Sequence, residues 1–253
     1  MDKPIMIVGI GEIGGVFAKG FLKTGYMVIP ISRETVIDDL AKKYPDPELI
    51  LIAVNESSLQ DVLKKLPAMW SKKIVLVQNE LLPKDYSILN DPTVISIWFE
   101  KKKGQDSKEI ISSPVNGPKA DILKIALNSL GLAVNIVKSH DDMIFELVVK
   151  NVYILTTNIA GLKVGGNVEG LWKDNNDLMQ NVFRDVISIQ QALLNKKINE
   201  KKVLKSLVIA FEGDLQHKCM GRSAPERLRR AISDANKFQL EIPTLREIHK
   251  NSQ

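Results

Sequence analysis

Residues 5–15 read Ile5-Met6-Ile7-Val8-Gly9-Ile10-Gly11-Glu12-Ile13-Gly14-Gly15, and this run decides the fold. A short, β-prone apolar stretch meets glycines at once, and Val16-Phe17 and Phe21-Leu22 then follow at helical spacing up to Gly25. The order is strand, tight turn, helix, helix stop. Gly9-Ile-Gly11-Glu-Ile-Gly14 is a G-x-G-x-x-G pattern, weak by itself because glycine is common, but specific directly behind a strand and at the mouth of a helix. There the first glycine permits the turn, the second admits a pyrophosphate, and the third lets helix pack on strand. The helix N-terminus adds N–H groups and a positive dipole end for the phosphates. Gly9, Gly11, Glu12, Ile13 and Gly14 are the expected dinucleotide-binding loop, the bland alternative being a glycine turn without a ligand.

The same alternation continues outward from that run. A second strand, Met27 to Ile31, leads into Ser32-Arg33 and a helix over Val36 to Lys43, and Leu49 to Val54 reads as a continuous buried strand. A helix from Leu59 to Lys65 and strands at Ile74 to Val77 and Val94 to Phe99 follow. After a charged loop, Lys101 to Lys108, come a helix over Ala120 to Leu130 and a strand near Ala133 to Val137. Strands apolar on both faces, alternating with helices, predict a parallel sheet covered on both sides. The β signal then stops. Helices are expected over Asp141 to Leu162, Leu178 to Asn195, Glu200 to Lys218, Pro225 to Phe238 and from Thr244. The expected fold class is α/β: a Rossmann doubly wound parallel sheet (residues 1–139) followed by an all-helical C-terminal domain (residues 140–253). His140 reads as a surface residue beside the capping types Ser139 and Asp141, not as a catalytic base.

A chain of 253 residues, 44% apolar and 26% charged, is globular in composition. The apolar run Ile5 to Ile10 is far shorter than the roughly 18 residues of a membrane span. The single cysteine, Cys219, excludes an internal disulfide framework and suits a reducing compartment, so a cytoplasmic location is expected. The formal charge of +5 lies in runs such as Lys101-Lys102-Lys103 and Arg222 to Arg230 without interleaved aromatics, which argues against a nucleic-acid role.

At the end of the second strand an NAD-binding chain usually carries an acid for the ribose hydroxyls. Here stand Ser32 and Arg33, and a guanidinium clamps a 2′-phosphate through parallel bonds. NADP(H) is therefore expected in preference to NAD(H), with Glu34 next door as the contrary sign. Val54 and Asn55 close the third strand and Asn79 the fourth, completing the expected cofactor set.

On Ile7-Val-Gly-Ile-Gly-Glu-Ile-Gly-Gly15, Gly25-Tyr-Met-Val with Arg33, Val75-Leu-Val-Gln-Asn79, Leu147-Val-Val-Lys150 with Asn158, and Leu215-Gln216 with Gly221-Arg222 and Glu226, the chain resembles the ketopantoate reductase (2-dehydropantoate 2-reductase) family. The resemblance runs over nearly the whole chain and implies a Rossmann domain followed by a helical domain of the 6-phosphogluconate-dehydrogenase type. It implies Lys150 as the acid that protonates the developing alkoxide, Asn158 as a substrate ligand, Asn79 as a group positioning cofactor and substrate, and Glu226 as the acid holding a substrate hydroxyl. Four departures stand out. Asn55 replaces a lysine, Ile154 replaces an asparagine, Gln78-Asn79-Glu80 replaces a histidine-asparagine-glycine turn, and Glu212 or Gly213 occupies the place of a serine. Lost buried polar contacts collapse specificity by orders of magnitude. The reading is therefore an NADP(H)-dependent oxidoreductase acting on a small 2-keto or 2-hydroxy acid or related carbonyl, with ketopantoate itself disfavoured as the substrate. The alternative is a non-catalytic dinucleotide-binding protein, a sensor or assembly partner. Neither a membrane nor a nucleic acid is expected as partner, and a homodimer is left open.

Overall fold

The computed structural model describes residues 3–251. They divide into two compact units, with the boundary between Glu146 and Leu147.

The first unit is built on β1 (Ile5–Val8), β2 (Val28–Ile31), β3 (Leu49–Ile52), β4 (Ile74–Leu76) and β5 (Thr93–Ile95), joined in part by the helices α1 (Glu12–Lys23), α2 (Ile37–Lys43) and α3 (Leu59–Lys65). Strands β1, β3 and β4 are buried along their whole lengths, which is why they read as unbroken apolar runs. All pairings among β1 to β5 are parallel. Past β5 the expected parallel order fails. The run expected as one strand to Phe99 stops at Ile95, and the chain makes a hairpin, β6 (Phe99–Glu100) with β7 (Lys108–Glu109), whose tip is the charged loop. It re-enters the sheet as β8 (Ser113–Asn116), antiparallel to β5. A parallel neighbour needs a crossover, commonly a helix, and a hairpin excursion returns the strand the opposite way. Helix α4 (Ala120–Asn128) then leads to β9 (Val134–Ile136), parallel to β8, and the sheet order is β2-β1-β3-β4-β5-β8-β9. The fold is a Rossmann-like, mostly parallel α/β sheet followed by helices.

Phe17 and Phe21 of α1 lie with Ile5, Ile7, Leu49, Leu51, Val75, Leu123 and Leu127 in one apolar core. Helices α1 and α4 touch backbone to backbone: a Cβ at Gly20 would sit 2.7 Å from the Ala126 carbonyl oxygen. No side chain fits there, and glycine alone permits the approach.

The helices are α5 (His140–Val164), α6 (Val168–Lys173), α7 (Asn176–Leu194), α8 (Glu200–Gly213), α9 (Ala224–Lys237) and α10 (Pro243–Asn251). The short α6 was not expected from the sequence. Helix α5 is long and apolar enough to cross a bilayer, but its apolar window is 83% buried within the protein, as in a core helix. Its first turn is capped by Ser139, whose hydroxyl accepts the Asp142 N–H at 3.1 Å and donates to the Asp142 carboxylate at 2.7 Å. His140 is exposed and stands edge-on to Tyr86. In the second unit, Asp185 of α7 is buried and accepts the Leu245 N–H at 3.0 Å, which satisfies the first turn of α10.

Candidate functional site

In the first unit the glycine turn lies between two recesses. Gly9 has φ +93°, open to glycine at no cost, and a Cβ there would meet the Ala53 carbonyl oxygen at 2.8 Å. Gly14 is buried against the turn itself: a Cβ would lie 2.1 Å from the Gly9 carbonyl oxygen. Gly11 is the opposite case. It is the N-cap of α1, no side chain caps that helix end, and a Cβ at Gly11 would meet nothing within 4 Å. Two of the three motif glycines are thus required by the protein's own packing, and the middle one leaves open space before a helix N-terminus. That is the cradle a pyrophosphate fills.

A groove of about 1330 Å³ runs past Gly9, Ser32, Arg33, Val54 and Asn55. A second recess of about 770 Å³ takes in Gly11, Glu12, Gly15, Lys19, Lys23 and Lys101. Of the expected cofactor residues, Gly9, Gly11, Glu12, Ser32, Arg33, Val54 and Asn55 therefore share this edge. Ile13 is half-buried and packs against the apolar core. Asn79 lines neither recess; it is half-buried in a turn.

Beside Arg33 the groove holds a carboxylate, Glu34, that the sequence reading weighed less. Ser32 Oγ donates to Glu34 Oε2 at 2.7 Å, and this bond holds the Glu34 carboxyl below the ordinary range. Arg33 and Glu34 are both exposed and both line the groove. Asn55 uses its side-chain oxygen to accept from the Ser58 N–H and the Ser57 hydroxyl, each at 3.0 Å, and so closes its own turn. Gln78, buried at the end of β4, donates to the carbonyls of Ile52 at 2.6 Å and Val54 at 3.2 Å, tying β4 to the end of β3. Two residues on, Glu80 has φ +57°, so the turn keeps the left-handed backbone that a glycine would adopt freely.

In the second unit the polar cluster rises from α5. Lys150, Ile154 and Asn158 follow one another at four-residue spacing, one above the next on a helical face. Lys150 is 9% exposed, and its ammonium stands 5.6 Å from the centre of the Tyr153 ring. Burial, and then the charge of Arg227, push its pKa down to about 7. Asn158 is buried, and its Oδ1 accepts from Arg227 Nη1 at 2.8 Å. Lys150 and Asn158 are thus linked through a residue the sequence reading passed over. Glu226, expected beside them, is exposed and pairs along α9 with Arg229 at 2.5 Å and Arg230 at 3.6 Å. The signal that could have found Arg227 is its place in α9, where Ala224, Leu228, Ala231 and Ala235 form the buried stripe. Arg227 lies three residues from Ala224 and four from Ala231, on that stripe's edge.

By sequence, the chain matches no protein-family model and no curated protein. By structure it is similar to 2-dehydropantoate 2-reductase from Methylococcus capsulatus, with a TM-score of 0.68 at 14% identity over 98% of this chain and 95% of that one. It is similar to dimeric ketopantoate reductase from Staphylococcus aureus, with a TM-score of 0.62 at 14% identity over 98% and 97%. A D-mandelate dehydrogenase bound to NADH and anilino(oxo)acetate gives a TM-score of 0.68 at 14% identity over 98% and 96%. The chain has the fold of the ketopantoate reductases, a Rossmann-like sheet followed by a helical region, in a strongly divergent sequence.

Proposed function

We propose that the protein is an NADP(H)-dependent oxidoreductase that interconverts a small 2-oxo acid, or a related carbonyl, and the corresponding alcohol. The observation that carries this reading is Lys150: a buried lysine with a pKa of about 7, eight residues before a buried asparagine. A general acid works best when its pKa is near the working pH, because both protonation states are then accessible. The bound cofactor supplies or takes the hydride. Gly9, Gly11 and the α1 N-terminus hold its phosphates, and Arg33 takes the 2′-phosphate.

Lys150 gives its proton to the carbonyl oxygen in reduction and recovers it from the alcohol in oxidation. Its positive charge also stabilises the oxygen as negative charge grows there. The fold shared with reductases and a D-mandelate dehydrogenase supports the reaction class. The test is NADPH oxidation, followed optically, over a panel of 2-oxo acids and simple ketones, with Lys150→Ala as control. Turnover that Lys150→Ala lowers by roughly 100-fold or more, with NADPH affinity kept, bears the reading out. A folded protein that binds NADPH and reduces nothing in the panel would instead be a dinucleotide-binding protein without catalysis.

A further inference from the structure

The backbone pairing of β3 with β4 ends at Ile52 with Leu76, and beyond it a side chain carries the pairing further. The Gln78 amide nitrogen donates to the carbonyls of Ile52 and Val54, and its oxygen accepts the Val77 N–H at 3.2 Å. A primary amide has two hydrogens on one nitrogen and can serve two carbonyls at once, whereas the neutral imidazole that the family resemblance implies at this place has one N–H. Gln78 is 7% exposed, so bulk water is not at hand to take over either bond.

The carbonyl between those two faces the other way. Ala53 donates its N–H to the Val8 carbonyl at 2.8 Å, and its own carbonyl oxygen would stand 2.8 Å from a Cβ on Gly9. Residues 52–54 are therefore held by the glycine turn on one side and by Gln78 on the other. They run directly into the wall of the larger groove. Val54 and Asn55 line it, Asn55 closes the turn to Ser58, and Ser58, Asp61 and Lys65 continue the wall. Gln78 itself lines neither recess. Two of the departures from the family pattern, Gln78 and Asn55, thus meet in one set of hydrogen bonds.

We propose that Gln78 is a positioning residue of the dinucleotide site. By holding the Ile52 and Val54 carbonyls it fixes the spacing between the glycine turn and the groove wall, and cofactor affinity depends on its two N–H groups. Buried carbonyls stripped of those donors turn toward other partners, and a wall displaced by a fraction of an ångström lengthens every hydrogen bond made from it. This rests on the dinucleotide-binding part of the oxidoreductase reading and not on its catalytic part.

The experiment is calorimetric titration of the full chain with NADPH and with NADH, at a temperature where near-ultraviolet circular dichroism shows every variant fully folded. Lost stability by itself then leaves a dissociation constant unchanged. Gln78→Met keeps the length of the side chain and removes both donors, and it should raise the dissociation constant of each cofactor the parent binds by roughly tenfold or more, the scale of one hydrogen bond. Gln78→His gives back one N–H and should fall between Gln78→Met and the parent, still about threefold weaker than the parent, so it carries the test alone if Gln78→Met does not fold. Asn116→Leu removes an amide bond elsewhere in the same sheet, from Asn116 to the Val137 carbonyl at 3.0 Å. It should lower the melting temperature and leave both dissociation constants within about twofold of the parent. Parental affinity in the folded Gln78 variants, or an equal loss in Asn116→Leu, would overturn the positioning role and leave the dinucleotide reading standing. A parent chain that binds neither NADPH nor NADH overturns that reading, and the positioning role with it.

Discussion

Gly14 and Gly9 are in contact across the turn that joins β1 to α1: a side chain on Gly14 would start 2.1 Å from the Gly9 carbonyl oxygen. Gly11, between them in sequence, faces open space. The same motif thus contains glycines that the protein's packing requires and one that it leaves free, and mutation separates the two. Gly14→Ala should lower stability by about 1–3 kcal/mol or more, because backbone must move to admit the methyl group. Gly11→Leu should unfold within ~1 kcal/mol of the parent and lose NADPH binding. Thermal unfolding and calorimetry measure the two. A Gly11→Leu protein that still binds NADPH with parental affinity would refute the cradle.

Arg33, the proposed 2′-phosphate ligand, has Glu34 beside it in the same groove, and on that proposal the two charges favour opposite cofactors. Arg33→Ala should weaken NADP⁺ binding by about 1.5–3 kcal/mol, the scale of hydrogen bonds to a charged group, and NAD⁺ binding far less. Glu34→Gln should shift preference further toward NADP⁺, since a carboxylate repels a 2′-phosphate and accepts from a free 2′-hydroxyl. Paired dissociation constants for both cofactors decide, and equal losses for the two in Arg33→Ala would remove Arg33 from this role.

The buried ammonium of Lys150 predicts a pH signature of stability. Its folded pKa, about 7, lies below its ordinary 10.5, so between those values the unfolded chain holds a proton the folded chain has released. Stability contributed by this site therefore rises with pH across that window and is lowest below about pH 7. Lys150→Met, which keeps the aliphatic length, should raise the unfolding free energy by at least ~1 kcal/mol at pH 6, and the gain should shrink toward pH 10. Activity has its own sign: a proton donor is lost as pH rises through about 7, so the reductive rate should fall there while the oxidative rate rises. Denaturant titrations and initial rates from pH 5.5 to 9.5 test both. A stability difference independent of pH would mean that Lys150 is not the buried cation described.

Glu80 occupies a left-handed backbone at φ +57°, which costs a non-glycine residue about 1–2 kcal/mol. Glu80→Val should be destabilising by at least 1 kcal/mol relative to Glu80→Gly, because β-branching makes this region worse. Urea unfolding of the two variants side by side is the check, and equal midpoints would show that the turn relaxes to another conformation.

The parts of the fold legible in the sequence are those whose physics is local. Strands β1, β3 and β4 show as continuous apolar runs, and Gly9, Gly11 and Gly14 show at fixed spacing. Strand β8 escaped because Ser113-Pro114-Val115-Asn116 carries neither alternation nor length, and only its neighbours β5 and β9 make it a strand. The hairpin of β6 and β7 escaped because its strands are two residues each and its loop reads as solvated charge. Lys150 and Asn158 are named by the family resemblance, but no local pattern in the sequence shows the burial that depresses the pKa of Lys150. Arg227 was hidden by Glu226 beside it: a chain of letters ranks neighbours alike, and a helix sends them to different faces.

Helix α1 is wedged at two points, by Gly14 on the β1 turn and by Gly20 on the Ala126 carbonyl, and neither contact has slack for a rotation or a slide. Its N-terminal end is consequently preorganised. A dinucleotide docking there would meet donors already in place and would lose little further conformational entropy in the protein, so more of the contact energy appears as affinity. The backbone amides of residues 15–20, hydrogen-bonded within the helix, should then exchange slowly with solvent before any ligand arrives, and binding should alter the mobility of the loops at the groove's rim far more than that of the helix at its centre.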